Sequence, residues 1–201
     1  MGKLTGTKTL ENLMNCVAGE AQARARYNTF AKYAGKQKLI QIQNIFNLTA
    51  ANEYEHFKVF YKIIAEYEEV MGQAIMVKVA DPFFPVGLSK TETHDNLVNS
   101  AEGEREEWQI VYKDAADVAD QEGFPEIANK FRLIAGIEKE HEARFLALAE
   151  NIVNDTVFKK PEVTKWICLN CGYVCEAKEA PKICPACKHP QGYFEEFVAN
   201  Y

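Results

Sequence analysis

The sequence predicts an all-α four-helix bundle followed by a small metal-knuckle domain, and three observations carry that expectation. Apolar residues recur at three- and four-residue intervals through most of the first 155 positions. Two Glu-x-x-His motifs, "EYEH" at 53–56 and "EKEH" at 138–141, each follow an upstream glutamate at nearly the same spacing. Four of the six cysteines fall into two CxxC pairs near the C-terminus.

The first helix is expected over Thr7 to Ala34, with Leu10, Leu13, Met14, Val17, Ala21 and Ala25 on one face and Gly35 as its C-cap. The second runs from about Gln37 to Val70 and carries Ile40, Phe46, Leu48, Ala51, Phe57, Phe60 and Ile64. The stretch "MVKVADPFFPVGLSK" cannot continue a helix interior through its two prolines and glycine, so it reads as a long crossover. A third helix follows "SKTETHDN" and runs to Gln121, where Gly123 stops it; Pro125 sits early in the fourth, which ends near Asn151 to Asn154. Two short turns and one long connection are the connectivity of a ferritin-like bundle. The expected domains are a bundle over 1–155, a linker over 156–165 and a knuckle domain over 166–201, the last too short to own much core without a staple.

The formal net charge of −6 argues against a nucleic-acid surface. No apolar run approaches the ~20 residues a membrane span needs, and "MGKLTGTKTL" has no hydrophobic signal segment. The expectation is a cytoplasmic protein that meets neither nucleic acid nor membrane.

Residues three apart on a helix share a face, so Glu53 with His56, and Glu138 with His141, can each offer a carboxylate and an imidazole to one ion. A single such pair is weak, because charged helices carry glutamate and histidine on their wet faces. The matched context strengthens it. Glu20 precedes Glu53 by 33 residues and Glu104 precedes Glu138 by 34, each upstream glutamate following a glycine. Two diverged copies of one helical hairpin bring together the ligand set of di-iron carboxylate bundles, and this donor chemistry suits iron or manganese. A solvated acidic face does not predict the spacing, and "NCVAGEAQA" would bury Glu20 unpaired. Glu107, three residues after Glu104, is an extra carboxylate without a counterpart in the first hairpin.

Cys168 with Cys171 and Cys184 with Cys187 have the spacing of two knuckles that close a tetrahedral four-sulfur site. Spacing alone leaves zinc and iron open. Cys16 and Cys175 are read as free thiols, His189 as superfluous to the knuckles and His94 as solvated.

With "GEAQARARY", "EYEH", "GEREE" and "EKEH" in that order, then "CLNCGY" and "APKICPACKHPQGYF", nearly the whole chain resembles the rubrerythrin family. The resemblance implies a ferritin-like bundle with a rubredoxin-like tail. It implies that Glu20, Glu53, Glu104, Glu138, His56 and His141 hold two irons, and that Glu107 exchanges with His56 as one iron changes oxidation state. Tyr27 and Tyr112 match tyrosines that hydrogen-bond near the site, and iron fills the four-cysteine site; manganese or zinc substitution in the metal sites is left open. The implied activity is reduction of hydrogen peroxide to water, with electrons from an NAD(P)H-dependent reductase or rubredoxin, in a homodimer or tetramer. The alternatives are a di-iron oxygen reductase or a ferroxidase. The stretch from His56 to Glu104 is longer than the family pattern suggests.

Overall fold

Thr7 opens the first helix, its hydroxyl accepting the Leu10 N–H at 3.1 Å. The Glu122 carboxylate, from a distant turn, accepts the N–H groups of Lys8 and Thr9 at 3.0 and 2.8 Å. In this computed structural model, which describes residues 3–67 and 92–200, the helices are α1 (Lys8–Lys36), α2 (Ile40–Ala65), α3 (Thr93–Glu106), α4 (Tyr112–Gln121) and α5 (Pro125–Val153). A π-helical turn, Glu107–Val111, joins α3 to α4, so these run as one interrupted rod and four rods make the bundle. Pro125 takes the first position of α5, where its missing N–H costs nothing.

Gly35 is not the C-cap. Helix α1 continues to Lys36; Leu39 N–H bonds Ala34 C=O and Lys38 N–H bonds Gly35 C=O, which makes Lys38, at φ 62°, the left-handed residue of a Schellman motif. Gly35 serves another purpose: a Cβ there would lie 2.6 Å from the Gln43 side chain of α2. The turn after α4 repeats the motif with Gly123, at φ 85°, in the left-handed position. The second helix ends at Ala65, short of the expected Val70, and the crossover around 71–95 lies mostly outside the described residues.

Two apolar clusters fill the bundle, one toward each end. At one end Leu10, Leu13, Phe60, Tyr112, Phe131 and Ile134 pack together; at the other, Tyr27, Phe30, Phe46, Leu97 and Phe145. On every rod the Glu and Glu-x-x-His positions fall between the two clusters. Burial on either side therefore fixes the rods and keeps water from the middle.

In the tail, β1 (Lys159–Cys168), β2 (Val174–Glu179) and β3 (Phe194–Glu196) form an antiparallel sheet ordered β2-β1-β3. Strand β1 thus begins inside the stretch 156–165 expected to be a linker. Period-two burial is weak there, so the sequence shows no strand signal, and pairing with β2 decides it. Trp166 and Phe194 are fully buried, and the Trp166 indole N–H donates to Ala177 C=O at 3.0 Å. The tail sits on the α1–α2 turn: a Cβ on Gly192 would fall 1.8 Å from the Lys38 carbonyl oxygen, so only glycine permits this approach.

Candidate metal centres

Four glutamates and two histidines, one or two from each rod, meet between the apolar clusters, and all six are at most 5 % exposed. They form two donor sets, Glu20, Glu53, His56 and Glu138, and Glu53, Glu104, Glu138 and His141, each with its ligand atoms within 4.8 Å of one another. Glu53 and Glu138 belong to both. Glu53 turns Oε2 toward His56 Nδ1 at 3.0 Å and Oε1 toward His141 Nδ1 at 3.3 Å. Glu138 does the same with Oε1 at 2.9 Å and Oε2 at 2.8 Å. Two carboxylates with one oxygen on each side have the geometry of bridges. Glu20 and Glu104 stand at the two ends, 3.7 and 3.9 Å from the nearer imidazole.

These atoms fit cations better than they fit each other. Both oxygens of Glu53 and Glu138, Glu20 Oε2 and both Nδ1 atoms are buried without a hydrogen bond, despite the short separations. Buried polar groups are normally paired, and donors that converge without hydrogen-bond angles are arranged around shared points. Protonation gives the same picture. Burial, then the charges of Glu138 and Glu53, push the Glu20 carboxyl up to about 8. Burial opposes charge on the imidazoles, but Glu138 and Glu53 outweigh it and hold His141 up at about 9; for His56 the same two and Glu20 raise it further. The side chains by themselves keep protons where cations would otherwise balance the carboxylates.

The tyrosines close the site from both ends in a crossed pattern. Tyr27 donates to Glu104 Oε1 at 2.5 Å, and Tyr112 donates to Glu20 Oε1. Burial, then the adjacent carboxylates, hold both phenols well above their usual range, so they remain donors.

Glu107 is half-buried and belongs to neither donor set. It lies near enough that loss of solvent, then the charges on Glu20, Glu138 and Glu53, push its carboxyl well above the usual range. The sequence places it one face-turn from Glu104 on a regular helix; the structure instead starts the π turn at Glu107. Cys16 is buried in the adjoining apolar cluster, as read from the sequence, whereas His94, expected to be solvated in the loop before the third helix, is half-buried within the first turn of α3, its Nδ1 3.2 Å from Asp95 Oδ1.

Sequence reasoning misses the residues around the site: Arg105, Trp108 and Glu142, whose side chains are bonded together, and Arg144, which donates to Thr49 Oγ1 at 2.7 Å. One signal was available. The one-residue difference between the 33- and 34-residue spacings falls between Glu104 and the end of α4, where the π turn takes up the extra residue.

In the tail, Cys168 Sγ lies 3.7 Å from Cys187 Sγ and Cys171 Sγ 3.7 Å from Cys184 Sγ. A tetrahedron with metal–sulfur bonds of ~2.3 Å has edges of about 3.8 Å, so the four thiols are spaced for one ion. The His189 backbone, then Cys171 and Cys184, hold the Cys187 thiol down at about 6, while Cys171, despite a backbone hydrogen bond at Tyr173, is pushed up to about 12 by Cys187 and Cys184, so without an ion the crowded thiols share a single negative charge. His189 stays outside the set, its Nδ1 3.3 Å from Cys187 C=O and its ring 4.5 Å from Tyr193. Cys175 is also apart from it. No helix among the described residues is long and apolar enough to cross a membrane.

A ferritin-like bundle with a bridged carboxylate–histidine site, joined to a four-cysteine knuckle, defines a di-iron protein with its own mononuclear iron centre. The rubrerythrin family model matches residues 11–149, and that of the rubrerythrin rubredoxin-like domain matches residues 166–195. The chain belongs to the rubrerythrin family. It is 51 % identical to a rubrerythrin of Clostridium perfringens over 201 residues, with all of both chains covered. Among solved structures, a nigerythrin in its fully reduced, all-ferrous state is similar with a TM-score of 0.62 at 29 % identity, over 98 % of this chain and 92 % of that one. An open-pore ferritin from Archaeoglobus fulgidus shares the fold, with a TM-score of 0.62 at 18 % identity over 77 % and 88 % of the two chains. The cofactors are accordingly a di-iron centre in the bundle and Fe(Cys)4 in the tail, and the chain is an oxidoreductase by family.

Proposed function

We propose that the protein is a non-haem peroxidase that reduces hydrogen peroxide to water, with electrons delivered through its four-cysteine iron. The observation that carries this reading is the pair of donor sets sharing Glu53 and Glu138, with a further carboxylate, Glu107, held beside them. When bound, two ferrous ions supply together the two electrons that cleavage of the peroxide O–O bond consumes, two protons completing two waters.

The chain's residues hold and adjust that centre. His56 and Glu20 would hold one ion and His141 and Glu104 the other, with Glu53 and Glu138 common to both sets. A rise in positive charge at the site would favour an anionic ligand over an imidazole, so Glu107 would take the place of His56 where the surrounding apolar clusters offer no solvent to share the charge. Tyr27 and Tyr112 fix the terminal carboxylates by donating to them, so that only Glu107 and His56 move. The apolar ends exclude bulk water, which strengthens each charge–charge interaction.

An iron held by Cys168, Cys171, Cys184 and Cys187 would supply electrons one at a time, with an NAD(P)H-dependent reductase or a rubredoxin as its donor. In one chain the tail sits at the α1–α2 turn, and Glu20 lies 16 residues before the end of α1, about 24 Å at ~1.5 Å per residue. That separation favours a homodimer, or a tetramer of such dimers, in which each tail serves its neighbour's bundle. A cytoplasmic location goes with this donor chain.

The test is a steady-state comparison of peroxide and dioxygen with a supplied reductase and NADH. A peroxide rate well above the dioxygen rate is expected; the reverse makes the protein an oxygen reductase, and rapid ferrous oxidation with accumulation of mineral makes it a ferroxidase. Glu107→Ala is expected to lower kcat with peroxide by about 10²-fold while two irons still load into the bundle. Wild-type kinetics in that variant would remove the exchange role.

A further inference from the structure

A π turn is less favourable than the α-helix on either side of it, so something must hold this one in place. Its own residues are mostly exposed or half-buried and none is fully buried. The hold comes from α5. Glu142, next to His141 and only 8 % exposed, accepts the Arg105 Nε–H on Oε1 at 2.7 Å and the Trp108 indole N–H on Oε2 at 2.6 Å. Those two residues bracket Glu107, one two positions before it and the other immediately after. Lys139 lies on the Trp108 ring, its Nζ 5.4 Å from the centroid, and Arg105 also reaches Glu102 at 3.3 Å. Both bonds to Glu142 are short, and the Arg105 guanidinium makes one of them charge-assisted, which strengthens it over an ordinary hydrogen bond.

The register this fixes matters to the site. Tyr112 follows Glu104 by eight residues, whereas Tyr27 follows Glu20 by seven. On an uninterrupted helix eight residues rotate about 80° past full turns. The π turn removes that offset, and both Glu104 and Tyr112 face the core. If the turn relaxed to α-helix, Tyr112 would rotate away from the site and its N–H would leave the Glu107 carbonyl that it now bonds.

We propose that Glu142 is a positioning residue for Glu107: by gripping Arg105 and Trp108 it locks the π turn, so that Glu107 enters and leaves the donor set by side-chain rotation with the backbone fixed. This rests on the exchange role given to Glu107 above.

The test uses full-length, iron-loaded protein with Glu142→Gln, which leaves a single acceptor oxygen for two donors, and Trp108→Phe, which removes the indole N–H while keeping an aromatic ring beneath Lys139. In both, amide hydrogen exchange over residues 107–112 is expected to accelerate about tenfold or more while α1 and α2 keep wild-type protection. The Mössbauer spectrum of the diferric protein is expected to gain a second environment at one iron. Turnover with peroxide should fall about tenfold at unchanged KM, because the loss lies in populating the right ligand arrangement. Wild-type exchange and spectrum in both variants would overturn the proposal. If Glu142→Gln lost iron or unfolded, Trp108→Phe would decide alone. Glu107→Ala is run alongside: if it changes the diferric spectrum and the clamp variants do not, the clamp fails and the exchange reading stands. If Glu107→Ala changes nothing, both fall.

Discussion

Glu53 and Glu138 each offer one oxygen to either side of the site, so each contributes to both donor sets, while Glu20 and Glu104 each serve one. Protons on this constellation follow from the same crowding. His56 and His141 are held protonated at neutral pH by the carboxylates around them, and burial keeps Glu20, at about 8, mostly protonated at pH 7. Iron needs the imidazoles neutral and the carboxylates ionised. Loading ferrous iron at pH 7 should therefore release protons, and apparent affinity should weaken as pH falls. Anaerobic calorimetry in buffers of different ionisation enthalpy measures the number directly; iron uptake with no proton release would mean that the site is not protonated as described.

At the scale of elements, the two hairpins are copies that differ by one residue. Their interhelical turns are built from the same Schellman bonds, one with Gly123 and the other with Lys38 in the left-handed position. A lysine there bears a Cβ penalty of about 1–2 kcal/mol, partly offset by the unfolded-state entropy that glycine would add. Lys38→Gly is thus expected to stabilise the protein by about 0.5–1 kcal/mol, read as a higher denaturation midpoint at unchanged m-value. A lower midpoint would show that the lysine side chain contributes packing that offsets its backbone strain. Much of this level was legible in the sequence. Pro125, Gly123 and the apolar periodicity located α4 and α5, and the repeated Glu and Glu-x-x-His spacing exposed the duplication. Gly35 misled, because a glycine near a helix end reads as a cap when the left-handed position here falls at Lys38.

Within a chain the tail meets the bundle about 24 Å along α1 from Glu20, at ~1.5 Å per residue, and the proposed dimer, in which each tail serves its neighbour's bundle, makes a prediction at this scale. Hybrids test it: chains carrying Cys168→Ser and Cys171→Ser are co-refolded with chains carrying Glu138→Ala. Each parent should be inactive with NADH and reductase, and the mixture should recover a substantial part of wild-type peroxide turnover. No recovery, with hybrid oligomers demonstrated by mass, would assign transfer to a single chain.

The sequence by itself determined which side chains can bind metal and that they come in two matched sets, because donor chemistry and helical periodicity are local properties written in residue type and spacing. The tertiary structure decided the rest: that Glu53 and Glu138 belong to both sets, that a π turn takes up the second hairpin's extra residue, that Glu142 grips both sides of Glu107, and that β1 begins where a linker was expected. Each of these depends on contacts between residues far apart in the chain, such as the 34 positions from Trp108 to Glu142. Local propensity carries no information about such pairs, and packing free energy selects among them only once the rods have met.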